Sequence, residues 1–241
     1  MKLKAAVKYQ VYEGRRSIAI FYLVFYLFVG LLALLRRLMA GQDMSSNAME
    51  LATLIFMFVG GLNSFKEALQ MFIQNGISRR TMLASYAVGV CCIALIMAMV
   101  DSLNAALFQR ILPGYQSLFE GVYASHDAQA SAWRLFFVGL PWRLCAYACV
   151  GMLGYWITIL YYRMNKLAKV IVSITVPLLL AFILPALDVG LLHGQIGQAL
   201  LKLLLGLFST PATGMLTLLA AFVVLGLLCH VTAYRVPLKE G

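Results

Sequence analysis

Hydrophobic residues run along this chain in long blocks separated by short polar breaks, and the blocks set its elements. Apolar runs of membrane-crossing length begin near Ser17, Met82, Leu144, Val170 and Ala212, with a shorter one at Leu51. Six spans are therefore expected, over 17–35, 51–64, 82–108, 144–162, 170–192 and 212–234. The fold class that follows is an all-α integral membrane protein, with 1–241 forming a single transmembrane domain. The run after Arg16 is too long for a signal-peptide core and lacks a small-residue cleavage site, so it reads as an uncleaved first span.

The polar breaks have patterns of their own. Over 1–16, Leu3, Val7 and Val11 share a helical face flanked by Lys4, Lys8 and Arg15. That stripe reads either as an interfacial helix on anionic lipid or as a basic tail that only sets topology. Over 65–81, Phe65, Leu69, Phe72 and Ile73 fall at the i, i+4, i+7, i+8 spacing of an amphipathic helix. Asn75-Gly76 then stops that helix, Ser78 is placed to cap the next, and Arg79 and Arg80 stand at the corner. Two long breaks remain, 109–143 with its Pro113-Gly114 turn, and 193–211. The second contains Leu200–Phe208, which is too short to cross and reads as a re-entrant helix before span six.

Composition supports this reading, since 63% of the 241 residues are hydrophobic and only 12% charged, whereas soluble domains carry about twice that charge. The net charge of +10 raises the question of nucleic acid. Because the basic residues sit beside apolar runs, topology accounts for them and a nucleic-acid partner is not expected. Thirteen of the nineteen Lys and Arg lie in the N-terminal segment, 65–81, 163–169 and the C-terminal tail. The other side holds Arg36, Arg37, Arg110, Arg134, Arg143 and Lys202. Both termini are thus expected in the cytoplasm, with Trp133, Trp142, Tyr115 and Tyr123 in an outer aromatic belt.

Candidate chemistry is sparse. No G-x-x-x-x-G-K-[ST] phosphate loop, H-E-x-x-H or G-x-S-x-G occurs, so neither ATP hydrolysis nor a common hydrolase is expected in this chain. His126, His193 and His230 are scattered, and the five cysteines all fall in apolar runs as small packing residues. Asp101 and Asp188 are expected near the outer surface and hydrated, which leaves no acid poised for ion coupling. What remains inside the spans is Gly60-Gly61, Asn63 and Ser64 in span two, and Pro177 and Pro185 in span five. These suit either a pathway that opens and closes or ordinary helix packing.

The basic N-terminal helix, six spans of this spacing and the corner QNGISRRTMLAS, with Asn75–Thr81 as its sharpest piece, resemble the membrane subunits of ABC-2-type ABC exporters. Leu200–Phe208 is similar to that family's extracellular re-entrant helix, while the 109–143 loop is longer than the family's pattern. The resemblance implies a permease subunit in the bacterial plasma membrane, paired with a second permease copy and two separate ABC ATPase subunits. ATP and magnesium would bind on those subunits, with no cofactor in this chain. It further implies that 65–81 is a coupling element, with Phe65, Leu69, Phe72 and Ile73 as its docking or packing face. Lys66, Glu67, Gln70, Gln74, Arg79 and Arg80 would be its polar contacts. Gly60, Gly61, Asn63, Ser64, Pro177 and Pro185 are the pathway candidates. The substrates implied are hydrophobic or amphipathic, such as antimicrobial or phenol-soluble modulin-like peptides. The alternative is a membrane immunity or sensor protein that binds such a peptide without pumping it.

Overall fold

The computed structural model describes residues 2–38, 48–111, 117–123, 132–190 and 194–234. Most of the 36–50 loop, Pro113-Gly114, Tyr115, His126, His193 and the tail after Tyr234 lie outside them. Every regular element among the described residues is helical: α1 (Lys2–Leu38), α2 (Ala48–Gln74), α3 (Arg79–Ile111), α4 (Leu118–Tyr123) and α5 (Ala132–Arg163) come first. Next are α6 (Lys166–Leu178), a π-helical stretch Leu179–Ile183, α7 (Leu184–Gly190), α8 (Gln195–Leu207) and α9 (Pro211–Tyr234). Five of these segments are long and apolar enough to cross a membrane: Lys4–Leu31, Arg79–Gln109, Phe136–Arg163, Lys166–Asp188 and Pro211–Ala233. The chain is a multi-pass membrane protein. The apolar part of α2, Glu50–Phe65, is shorter.

Helix directions follow from the contacts. Gly14 meets Ile93 and Tyr22 meets Asp101, so α1 and α3 run parallel. Glu50 pairs with Arg143 and Phe65 packs on Tyr162, so α2 runs with α5 and against α3. Gly214 beside Trp142 and Gly226 beside Met152 give α9 the same direction as α5. At the centre, α2 and α5 approach closely enough that a Cβ on Gly61 would strike the backbone of Gly151, and one on Gly154 that of Phe58. Small residues that let backbones touch are the usual means of joining helices in lipid, where apolar side chains gain little from leaving the solvent. Thr158 ties the crossing, its hydroxyl donating to the carbonyl of Leu62 at 2.7 Å.

Several expectations change. The separate interfacial helix over 1–16 is not a distinct element, because α1 continues through it, and Ala6 is buried and Gly14 packs on α3. Span two and the amphipathic segment are likewise one 27-residue helix. The 109–143 break is largely structured, since α4 lies within it and α5 begins at Ala132, with Pro141 accommodated inside the helix. Pro177 and Pro185 flank the π-helical stretch, a backbone adjustment that accompanies missing donors in a span. The expected re-entrant segment is α8, whose first turn is capped by Asp188: Ile196 and Gly197 each donate a backbone N–H to its carboxylate at 2.8 Å.

Candidate functional site

A cavity of about 260 Å³ opens between α1, α2 and α3. Its α1 wall is Gln10, Gly14, Ser17 and Ile18, a face at helical spacing. The α2 wall contains Gly60, Gly61, Asn63, Ser64 and Ala68, and the α3 wall contains Tyr86, Gly89, Val90 and Ile93. Val59, Gly60 and Asn63 are exposed, so the mouth lies on the outside of the bundle between α1 and α2. The rings of Phe21 and Phe56, with centroids 4.6 Å apart, bridge α1 and α2 on the side away from the basic end. Gln10 is the unusual member. Both polar atoms of its amide are buried and neither has a hydrogen-bond partner among the described residues.

Four of the pathway candidates, Gly60, Gly61, Asn63 and Ser64, therefore share one cavity. Ser64 satisfies itself by donating to the carbonyl of Gly60 at 2.6 Å, and a Cβ on Gly60 would meet nothing within 4 Å. Pro177 and Pro185 do not line it and are exposed on the α6–α7 arm. In α6 and α8 no residue is buried.

Directly below the cavity lies the corner between α2 and α3. Gly76 adopts φ 64°, the left-handed conformation that ends a helix, and Ile77 N–H returns to the carbonyl of Phe72 at 2.9 Å. Ser78 Oγ accepts the Thr81 N–H at 3.3 Å and caps α3. Gln74 and Arg80 are exposed here, while Arg79 is half-buried and donates to the Ala233 carbonyl at 3.3 Å, holding the corner against the end of α9. Phe65, Leu69 and Phe72 turn inward and are buried, Phe65 packing edge-on against Tyr155 and Tyr162. The side chains of Lys66, Glu67, Gln70 and Ile73 lie outside the described ones. Of the two roles open to this apolar face, packing is the one its described members perform.

Sequence reasoning missed a polar cluster at the opposite end. Arg143 on α5 donates through Nε and Nη2 to Glu50 Oε1 at 2.8 and 2.7 Å, with side-chain exposures of only 3% and 2%. Its Nη1 reaches Ser102 on α3 at 3.2 Å, and the Phe119 N–H of α4 donates to Glu50 Oε2 at 3.3 Å. Alongside, Asp101 accepts from Tyr22 at 2.9 Å and from Tyr147 at 2.6 Å. The expectation that Asp101 is hydrated is thus corrected: it is buried, because two phenols replace its water. Five helices meet in this cluster, and nothing in the local sequence of Glu50 or Arg143 marks them as partners. Gln10 was also missed, although Gln10, Gly14 and Ser17 at i, i+4, i+7 break the apolar pattern of α1.

No group of three or more His, Cys, Asp or Glu positioned for a metal occurs among the described residues. Comparison with family models, with curated proteins and with solved structures returned no match to this chain.

Proposed function

We propose that this chain is the permease subunit of an ABC exporter, moving a hydrophobic or amphipathic substrate, most simply a peptide, out of a bacterial cell. The observation that carries the reading is that the 74–80 corner joins the two helices, α2 and α3, that form two of the three cavity walls. A displacement applied to the exposed Gln74 and Arg80 is delivered to Gly60–Ser64 and Tyr86–Ile93 through continuous helix. In this reading α2 is the sixth crossing, both termini are cytoplasmic, and α8 is a re-entrant helix on the outer side. Two ATPase subunits carry ATP and magnesium, and a second permease copy completes the assembly within the bilayer. The buried acids act as structural ties, each held by hydrogen bonds at the end of the bundle away from the corner, so the energy comes from the partner.

Co-purification tests this. The chain should bring down an ATPase encoded beside it, and Gln74→Glu with Arg80→Glu should lose that partner while the monomer still folds. Amphipathic peptides should stimulate the ATP hydrolysis of the complex, and a flat response across a peptide panel sinks the substrate assignment.

One observation favours the second reading, a membrane sensor or immunity protein that holds a peptide without pumping it. Phe65, Leu69 and Phe72 are spent inside the bundle, which leaves the corner few described apolar side chains to dock with. Under that reading the Gln74 and Arg80 changes leave activity intact.

A further inference from the structure

We infer that Asp101 is a proton-binding site: its carboxyl stands in the bundle as a neutral acid, with the O–H on Oδ1, facing Tyr22. This goes beyond the exporter reading and does not rest on it. The charges around Asp101 do not balance without that proton. The elements packed on it bring Tyr22 and Tyr26 from α1, Glu50 and Thr53 from α2, and Arg143 and Tyr147 from α5. Its own helix adds Ser102 and Asn104, both buried. Arg143 is the one cation in this set, and its charge is matched by Glu50 at 2.7 Å. Asp101 is only 1% exposed, so water does not solvate it. A carboxylate there would be a second buried anion beside Glu50 with no cation of its own. Inside a span the neutral acid is the cheaper form of such a group.

Hydrogen-bond geometry assigns the oxygen. A phenol has one hydrogen to donate. Tyr147 Oη lies 2.6 Å from Asp101 Oδ2 and has no other acceptor among the described residues, so it donates there. Tyr22 Oη lies 2.9 Å from Oδ1 and 3.3 Å from the Met97 carbonyl, two acceptors for one hydrogen. With Asp101 protonated on Oδ1 that competition ends, because Oδ1–H donates to Tyr22 and Tyr22 donates to Met97. The proton is taken from the aqueous phase as the helices close, forming one O–H bond and breaking none in the protein. Its effect is to make the seam between α1 and α3 neutral. Tyr22 stands one turn beyond Ile18, part of the cavity wall, and Tyr26 donates to Asn104 at 2.9 Å one turn further on. Two phenols thus clasp α1 to α3 just beyond the cavity. A neutral clasp parts to widen the cavity without stranding an anion in hydrocarbon.

The test is infrared spectroscopy of the purified full-length chain in phosphatidylcholine nanodiscs, in heavy water at neutral pH. An un-ionised carboxylic acid gives a carbonyl stretch above the amide band, where ionised side chains do not absorb. The wild-type chain should show that band. Heavy-carbon labelling of aspartate carboxyls should displace it, and the same labelling of glutamate should leave it in place. Asp101→Asn should remove it and still fold, with a thermal midpoint near that of the wild type. The new amide donates to Tyr22 and its carbonyl accepts from Tyr147. Tyr22→Phe should keep the band and move it to higher frequency, since the acid loses its acceptor. Absence of the band from the wild-type chain overturns the proposal. So does a band that responds to glutamate labelling, persists in Asp101→Asn or is unmoved by Tyr22→Phe. An Asp101→Asn chain that melts far below the wild type also overturns it, because a neutral isostere then fails to replace the group. None of these outcomes touches the exporter reading, which stands or falls on the ATPase partner.

Discussion

Arg143 carries its charge into the bundle only because Glu50 meets it there, and that dependence makes the pair asymmetric to mutation. Removing one member strands the other without water, which costs about 3–5 kcal/mol for a buried pair. Arg143→Met should therefore lower the thermal midpoint of the detergent-purified chain sharply. The double change Glu50→Leu with Arg143→Met should recover most of that loss, because no charge is then left unmatched. If the double variant melts no higher than the single one, the pair is doing something other than neutralising itself. The adjacent glycines of α2 offer a second contrast. A side chain on Gly61 meets the α5 backbone and one on Gly60 meets nothing, so Gly61→Ala should destabilise by about 1–3 kcal/mol as overpacking does. Gly60→Ala should be close to neutral in the same melting experiment.

At the scale of elements, the corner between α2 and α3 is held by backbone chemistry that one substitution can remove. Gly76→Ala places a Cβ in the left-handed region, at a cost of about 1–2 kcal/mol, and Ser78→Ala removes a cap worth about 1 kcal/mol. Neither touches a packed side chain, so both should loosen the corner locally. Faster amide exchange at 75–81, with the exchange of central α5 unchanged, is the expected signature. This corner was legible in the sequence because Asn75-Gly76 and Ser78 act on their immediate neighbours. The long apolar helices were legible for the same reason. Continuity was not: α1 runs straight through the polar 8–16 stretch because α3 supports it there, and α2 runs through Asn63 because α5 receives Gly61 and Phe65. The cavity was half legible, since the small and polar residues of α2 stand out in an apolar run. Its other walls come from positions remote in sequence, and Gln10 acquires meaning only once Gly89 is opposite it. The direction of the apolar stripe over 65–73 was the least accessible property, since periodicity gives a face and not what covers it.

For the whole molecule, the buried pair sharpens the charge argument for orientation. Once Arg143 is neutralised by Glu50, the end of the bundle away from the corner has one fewer basic residue facing solvent or headgroups, while Arg80, Arg163 and Lys166 are exposed at the corner end. A cytoplasmic corner, as proposed above, is the orientation that this distribution of exposed Lys and Arg favours. Sidedness also decides whether α2 crosses, because its apolar stretch Glu50–Phe65 covers only about 24 Å at 1.5 Å per residue, short of a hydrocarbon core of about 30 Å. The helix spans only if the remainder of its 27 residues is sheltered by neighbours, as the burial of Phe65, Leu69 and Phe72 against the bundle allows. Single cysteines placed at the exposed positions Lys4, Gln74, Asn165 and Val122 report on this in intact cells, in a background lacking the five native thiols. An impermeant maleimide should label Val122→Cys in intact cells, and Lys4→Cys, Gln74→Cys and Asn165→Cys only after lysis. Labelling of Gln74→Cys from outside, with Lys4→Cys protected, would mean that α2 does not cross. The corner would then face away from any cytoplasmic ATPase, and the exporter reading would fall with it.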